Sequence, residues 1–232
     1  MVKIDRRKNY LCVMDTETAN TQTDIKGRLD MSSVLPYDIG WAIADTRGNV
    51  YRTRSFVVKD IFTHERDLMN SAYYACKLPR YFYDLVNGTR TLATAYEIRQ
   101  AMLADMAEYK THIACAHNAR FDVTALNNIE RWTTKSKYRY WFPKGTEIWD
   151  TLAMARSVIG KMPTYRKFCE ENGYITKNGQ LSMTAENLYR FISKQDDFQE
   201  DHMGLEDVLI EVQILKYCDR QHKAMKKRAF NN

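Results

Sequence analysis

Long apolar runs, paired cysteines, internal repeats and low-complexity linkers are what this 232-residue chain does without. No run approaches the roughly 20 apolar residues that cross a bilayer, so no membrane partner is expected. The LCVM stretch behind the basic start MVKIDRRKNY is too short for the core of a signal peptide. The five cysteines, Cys12, Cys76, Cys115, Cys169 and Cys218, are odd in number and far apart, and no C-x-x-C pair argues for zinc or a redox dithiol. They read as buried thiols in a reducing compartment, so a cytoplasmic protein is expected. What is present is ample core material: 44% of residues are hydrophobic and 12% aromatic, enough for one large domain or two small ones. A formal charge of +6 gives a modest bias toward polyanions such as nucleic acid.

Periodicity divides the chain into strands first and helices later. YLCVMD, residues 10–15, is a nearly continuous apolar run, as expected of a central strand buried on both faces. A loop rich in Thr, Asn and Asp follows. Residues 37–45 and 50–58, joined by Arg47-Gly48-Asn49, predict an antiparallel hairpin that continues the sheet. Short helices are expected between Lys59 and Gly88. The spacing of Thr94 and Glu97 is that of a capping box, which predicts a helix over 95–109. HIACA, 112–116, reads as a strand leading into a helix over 119–132, with His117 and Asn118 as candidate caps. KYRYWF, 137–142, reads as an edge strand. Helices are expected over 151–159, over 164–172 with Gly173 at the end, over 184–193 and from Met203 to His222.

Acidic residues fall where such elements turn inward. Side chains alternate along a strand, so Leu11, Val13, Asp15 and Glu17 leave on one side and bring two carboxylates to the strand end. A plain strand-end turn gives the same D-x-E pattern. Asp122 shares the i, i+4, i+7 stripe of Leu126 and Ile129, where an unpaired carboxylate costs on the order of several kcal/mol unless protonated, paired or beside a metal. An ordinary first-turn acid favoured by the helix dipole is the competing reading. Asp207 lies on a stripe with Ile210, Ile214 and Cys218, while Glu206 and Glu211 read as solvated. His202, five residues before Asp207, either reaches the same place or stays at the surface as a cap.

In order, D-x-E on a strand, H-N-x-x-F-D at a strand-to-helix junction and H-x-x-x-x-D on a late helix resemble the DnaQ-like DEDD 3′-5′ exonuclease superfamily. The match is to its DEDDh branch, the branch of ribonuclease T, oligoribonuclease and the polymerase proofreading subunit. The tyrosine branch would place Tyr where this chain has Met203. The likeness spans residues 10 to 215 and implies an α/β, ribonuclease H-like fold. That fold has a five-stranded mixed sheet, its first three strands antiparallel, flanked by helices. With the basic charge at both ends, the chain is expected to divide into a basic N-terminal segment 1–9, a single exonuclease domain 10–222 and a basic, solvated C-terminal tail 223–232. Ala19-Asn20 stand where many relatives carry Gly, which would alter the loop that meets the terminal nucleotide.

The resemblance implies a metal-dependent 3′-5′ exonuclease that releases nucleoside 5′-monophosphates. Its cofactors would be two divalent ions, Mg2+ or Mn2+, roughly 4 Å apart. Asp15 would bridge both, Glu17 and Asp207 would complete the first site, and Asp122 would support the second. His202 would take the proton from the attacking water, and Thr16 and Thr18 would meet the terminal sugar or phosphate. The stretch 131–144, RWTTKSKYRYWFPK, has no acidic residue and interleaves basic and aromatic side chains, a composition that binds single strands by phosphate contact and stacking. An edge strand with inward aromatics, and lysines that discourage aggregation, is the competing reading and the one slightly favoured. Lys137, Arg139 and Trp141 of this stretch, with Asn118 of the H-N-x-x-F-D junction, are candidates for substrate contact. The expected partner is single-stranded or 3′-terminal nucleic acid, DNA ahead of RNA, with a polymerase or a second copy of the chain as further candidates. The alternatives are an RNA-directed exonuclease of the same fold and a non-catalytic nucleic-acid-binding or polymerase-associated module.

Overall fold

A computed structural model describes residues 4, 5, 7–19, 30–70 and 75–231. The Thr/Asn/Asp-rich loop and Asn20 fall outside these residues. The strands are β1 (Tyr10–Ala19), β2 (Leu35–Asp45), β3 (Val50–Val58), β4 (Thr91–Ala93), β5 (Ile113–Ala116), β6 (Glu147–Asp150) and β7 (Arg228–Asn231). They form one sheet in the order β4-β3-β2-β1-β5-β6-β7. The pairs β1–β2 and β2–β3 are antiparallel, and β1–β5 and β5–β6 parallel, as the mixed-sheet expectation requires.

The count is seven rather than five among the described residues. β4 adds to one edge beside β3, and β7 to the other beside β6. β4 is three residues long, too short to carry a period. β7 lies in a segment whose charge suggests a solvated tail, but Phe230 packs on the core and Arg228 pairs with Glu147. The C-terminal tail expectation is thus corrected: residues 228–231 are an edge strand of the domain. KYRYWF is not a strand. Trp141 and Phe142 are driven into the core, and the Trp141 amide donates to Asn127 Oδ1 at 2.9 Å instead of to a ladder.

Nine α-helices are described: α1 (Lys59–Phe62), α2 (Arg66–Asn70), α3 (Leu78–Asn87), α4 (Ala95–Glu108), α5 (Arg120–Thr134), α6 (Thr151–Val158), α7 (Pro163–Glu171), α8 (Ala185–Ser193) and α9 (Gly204–Arg220). A 3-10 turn, Ala75–Lys77, precedes α3. The Thr94–Glu97 capping box at α4 is present in both directions. β1 is buried on both faces, and its alternation sorts the core. Cys12 and Met14 pack with α4 and α5 on one side, and Leu11 and Val13 with α6 to α9 on the other.

Candidate active site

β1 delivers the first two acids. Asp15 and Glu17 continue the Leu11–Val13 face toward α9, while Thr16 points to the α5 side. Pairing with β2 stays regular through Asp15↔Gly40 and Glu17↔Asp38, then shifts between Glu17 and Thr18. Extended geometry therefore persists past the apolar run, long enough to place both carboxylates. Asp15 is half-buried and Glu17 buried.

Asp122 comes from the opposite helical layer. It is 2% exposed, and its Oδ1 accepts from the Thr16 amide at 3.1 Å and the Thr16 hydroxyl at 2.9 Å. The first turn of α5 is thereby tied to the strand between Asp15 and Glu17. Thr16, expected to meet substrate, instead holds Asp122.

α9 supplies Asp207 by an unusually close approach to the sheet. A Cβ on Gly40 would lie 2.3 Å from the Leu205 nitrogen, and one on Gly204 would lie 2.8 Å from the Gly40 nitrogen. No other side chain permits the helix start to sit directly over β2 opposite Asp15. α9 has no side-chain cap of its own: the Gly204 amide donates to Asp38 Oδ2 at 3.0 Å. Asp38, fully buried, also accepts from Tyr81 Oη at 2.8 Å and from Arg90 Nη1 at 2.9 Å. The same Arg90 reaches Glu206 at 2.6 Å, so one buried guanidinium joins β2 to the first turn of α9.

His202 stands one residue before the Met203 cap position, in left-handed backbone at φ 51°. Its loop is held from two sides. Arg190 of α8 donates to Phe198 O at 2.6 Å, Glu186 accepts the Glu200 amide at 2.9 Å, and Lys77 donates to Asp201 O. Ligand atoms of His202, Glu17 and Asp207 all fall within 4.8 Å of one another, and a second trio joins His202 to Glu186 and Glu200.

Crowding burial and charge together raises every acid of the set. Burial, then Asp122 and Glu211, lifts Asp15 well above the usual carboxylate range. Burial, then Asp207, pushes Glu17 up to about 9, and burial, then Glu200, pushes Asp207 up to about 8. Burial lifts Asp122 to about 7 against its bonds from Thr16. His202 is lowered by burial and then by the Lys77 charge, which leaves a neutral imidazole near pH 7. Asp207 Oδ1 is buried with no hydrogen-bond partner among the described residues. All-oxygen donors that resist ionisation when bare, one of them unpartnered, fit a hard divalent cation.

The structure therefore brings together Asp15, Glu17, Asp122, His202 and Asp207 but revises the outer candidates. His117 does not cap α5; its ring is locked between Thr151 Oγ1 at 2.9 Å and Met183 O at 2.8 Å. Asn118 is exposed at φ 66°, its amide donates to Asp150 Oδ1, and it lines a cleft with Arg156 and Arg166. Trp141 is 0% exposed with Nε1 on Met102 Sδ, so it cannot stack on a base. Lys137 and Arg139 are exposed, and Thr18 is half-buried. Glu211, read as solvated, is buried beside Asp122; its i, i+4 spacing from Asp207 is the sequence signal for it. Asp38, Arg90 and Lys77 carry no local signal, because their partners lie far away in the chain.

The fold is that of the DEDDh-type nucleases. The chain is similar to Escherichia coli exonuclease I in its zinc-bound complex with single-stranded DNA, with TM-score 0.54 and 14% identity over 93% of this chain and 41% of that one. A second exonuclease I structure, with a dT13 oligonucleotide, gives TM-score 0.52 and 14% identity over 90% of this chain and 41% of that one. The nuclease domain of 3′hExo, a DEDDh family member bound to rAMP, gives TM-score 0.55 and 12% identity over 96% of this chain and 98% of that one. The chain thus spans about two fifths of exonuclease I and nearly all of the 3′hExo domain. No protein-family model and no curated protein matches the sequence.

Proposed function

We propose that the protein is a metal-dependent 3′-5′ exonuclease acting on single-stranded or frayed nucleic acid and releasing nucleoside 5′-monophosphates. The observation that carries this reading is the convergence of Asp15, Glu17, Asp122 and Asp207 from a strand and two opposite helical layers, with His202 beside Glu17 and Asp207. Asp15, Glu17, Asp207 and Asp122 would hold two divalent ions, Mg2+ or Mn2+. When bound, such ions neutralise the charge that builds on the attacking and leaving oxygens of a phosphodiester. His202, neutral near pH 7 and fixed by its doubly tied loop, accepts the proton of the attacking water. Thr16 keeps Asp122 in place through two hydrogen bonds.

Single-strand binding is supported by a groove that starts at the same sheet end. Leu35, which lines it, pairs with Ala19, two residues past Glu17. Beyond Leu35 the lining includes Ser32, Asn128, Trp132, Lys135 and Lys137, with the Lys135 ammonium 4.6 Å from the Trp132 ring centre. A half-buried indole flanked by lysines offers stacking and phosphate contact without sequence readout. Trp132 thus takes the role expected of Trp141, and Lys137 keeps its own. DNA is placed ahead of RNA, since the exonuclease I neighbours hold DNA, although 3′hExo holds rAMP.

The test incubates matched 3′- and 5′-labelled DNA and RNA oligonucleotides with Mg2+, using Asp15→Ala as control. Stepwise shortening from the 3′ end by the parent alone is expected. No metal-dependent shortening, or equal shortening by the variant, removes the enzyme reading and leaves a binding module.

A further inference from the structure

The acidic centre has one more member than its four-carboxylate pattern provides. Glu211 follows Asp207 by one turn of α9, so both side chains leave the same face of the helix. It is 2% exposed. Its Oε1 accepts the His117 amide at 2.8 Å, at the junction where β5 hands over to the helix that carries Asp122. Its Oε2 is buried and has no hydrogen-bond partner among the described residues, a property it shares with Asp207 Oδ1. Two orphaned carboxylate oxygens one turn apart on one helix, facing the acids of β1 and α5, are unfavourable in the bare protein. Glu211 is also the next charge after Asp122 to act on Asp15. A side chain needed only to receive the His117 amide has no use for a second acceptor. A cation in the centre does.

We infer that Glu211 is a fifth carboxylate of the metal centre, offering Oε2 to the bound divalent ions directly or through water while Oε1 stays on the His117 amide. The inference rests on the metal-centre reading given above. The competing role is a neutral, protonated spacer, and the two separate on one substitution. Glu211→Gln preserves the shape and the acceptor for His117 but removes the charge.

Mn2+ binding is to be measured by calorimetry and electron paramagnetic resonance on the whole chain without nucleic acid, with Asp15→Asn alongside. Glu211→Gln is expected to weaken Mn2+ binding about 10- to 100-fold, the range seen when groups supporting a metal site are lost. Parental Mn2+ affinity in Glu211→Gln overturns the inference while leaving the centre intact. If the parent binds no Mn2+, or Asp15→Asn binds it as well as the parent, the metal-centre reading itself fails. Glu211→Asp, which retains the charge but shortens the reach, serves if the first variant does not fold. Weakened binding there supports the inference, and parental affinity overturns it.

Discussion

At the scale of the residue, His202 and the acids do different work. In the proposed reaction the imidazole takes the proton of the attacking water, so His202→Ala is expected to lower turnover by roughly 10²–10⁴-fold. Far-UV circular dichroism and the unfolding midpoint are expected to stay near parental, because its side chain is 38% exposed. Near-parental turnover in the folded variant would transfer the role elsewhere. His117 is a poor substitute, with both ring nitrogens engaged and burial lowering its pKa. The two tryptophans make a second contrast. Trp132→Ala is expected to weaken single-strand binding by about 1–3 kcal/mol with little change in stability. Trp141→Ala is expected to cost about 3–5 kcal/mol of stability, since it empties a fully buried site against Met102. Oligonucleotide anisotropy and urea unfolding on both variants check the pair; weakened binding only in Trp141→Ala would invert the assignment.

At the scale of the element, α9 is the piece that must dock correctly. Its start lies on Gly40, its cap is Asp38, and Arg90 braces Glu206 from below. Gly40→Ala is expected to push the helix start off β2, with a stability loss of about 1–3 kcal/mol and a larger fall in activity than in stability, since Asp207 and His202 ride on that end. Urea midpoints and turnover measured together decide this; a variant with parental values for both would mean that α9 accommodates the added methyl. Much of each element was legible beforehand. The β2–β3 hairpin, the capping box of α4 and the inward stripe of Asp207 follow from local spacing, which the backbone obeys wherever packing does not oppose it. β4 was not legible because three residues carry no period, β6 because EIWD lacks the apolar run that marks β5, and β7 was hidden by its charge.

At the scale of the whole molecule, the centre makes stability depend on pH in an unusual direction. Asp122 at about 7, Asp207 at about 8 and Glu17 at about 9 keep protons in the folded state that the unfolded chain releases near pH 4. The folded state therefore binds more protons across that window, and the metal-free protein is expected to lose stability as pH rises from about 5 to about 9. Thermal unfolding in chelator reads this directly. Asp207→Asn should flatten the slope, and excess Mn2+, if it occupies the folded centre as proposed, should raise the midpoint most at the alkaline end. A flat or rising metal-free midpoint over the same window would show that these acids ionise freely.

The sequence by itself determined which side chains are acidic, which stripe or strand face each one occupies, and that a histidine precedes the last acid. Those follow from periods of 2 and 3.6, which are local. Only the tertiary structure decided that Thr16 serves Asp122, that Asp38 caps α9 across the sheet, and that Trp132 rather than Trp141 faces the groove. Each of these depends on a partner distant in the chain or on which side of an element the core finally covers. Spacing within a segment carries neither piece of information.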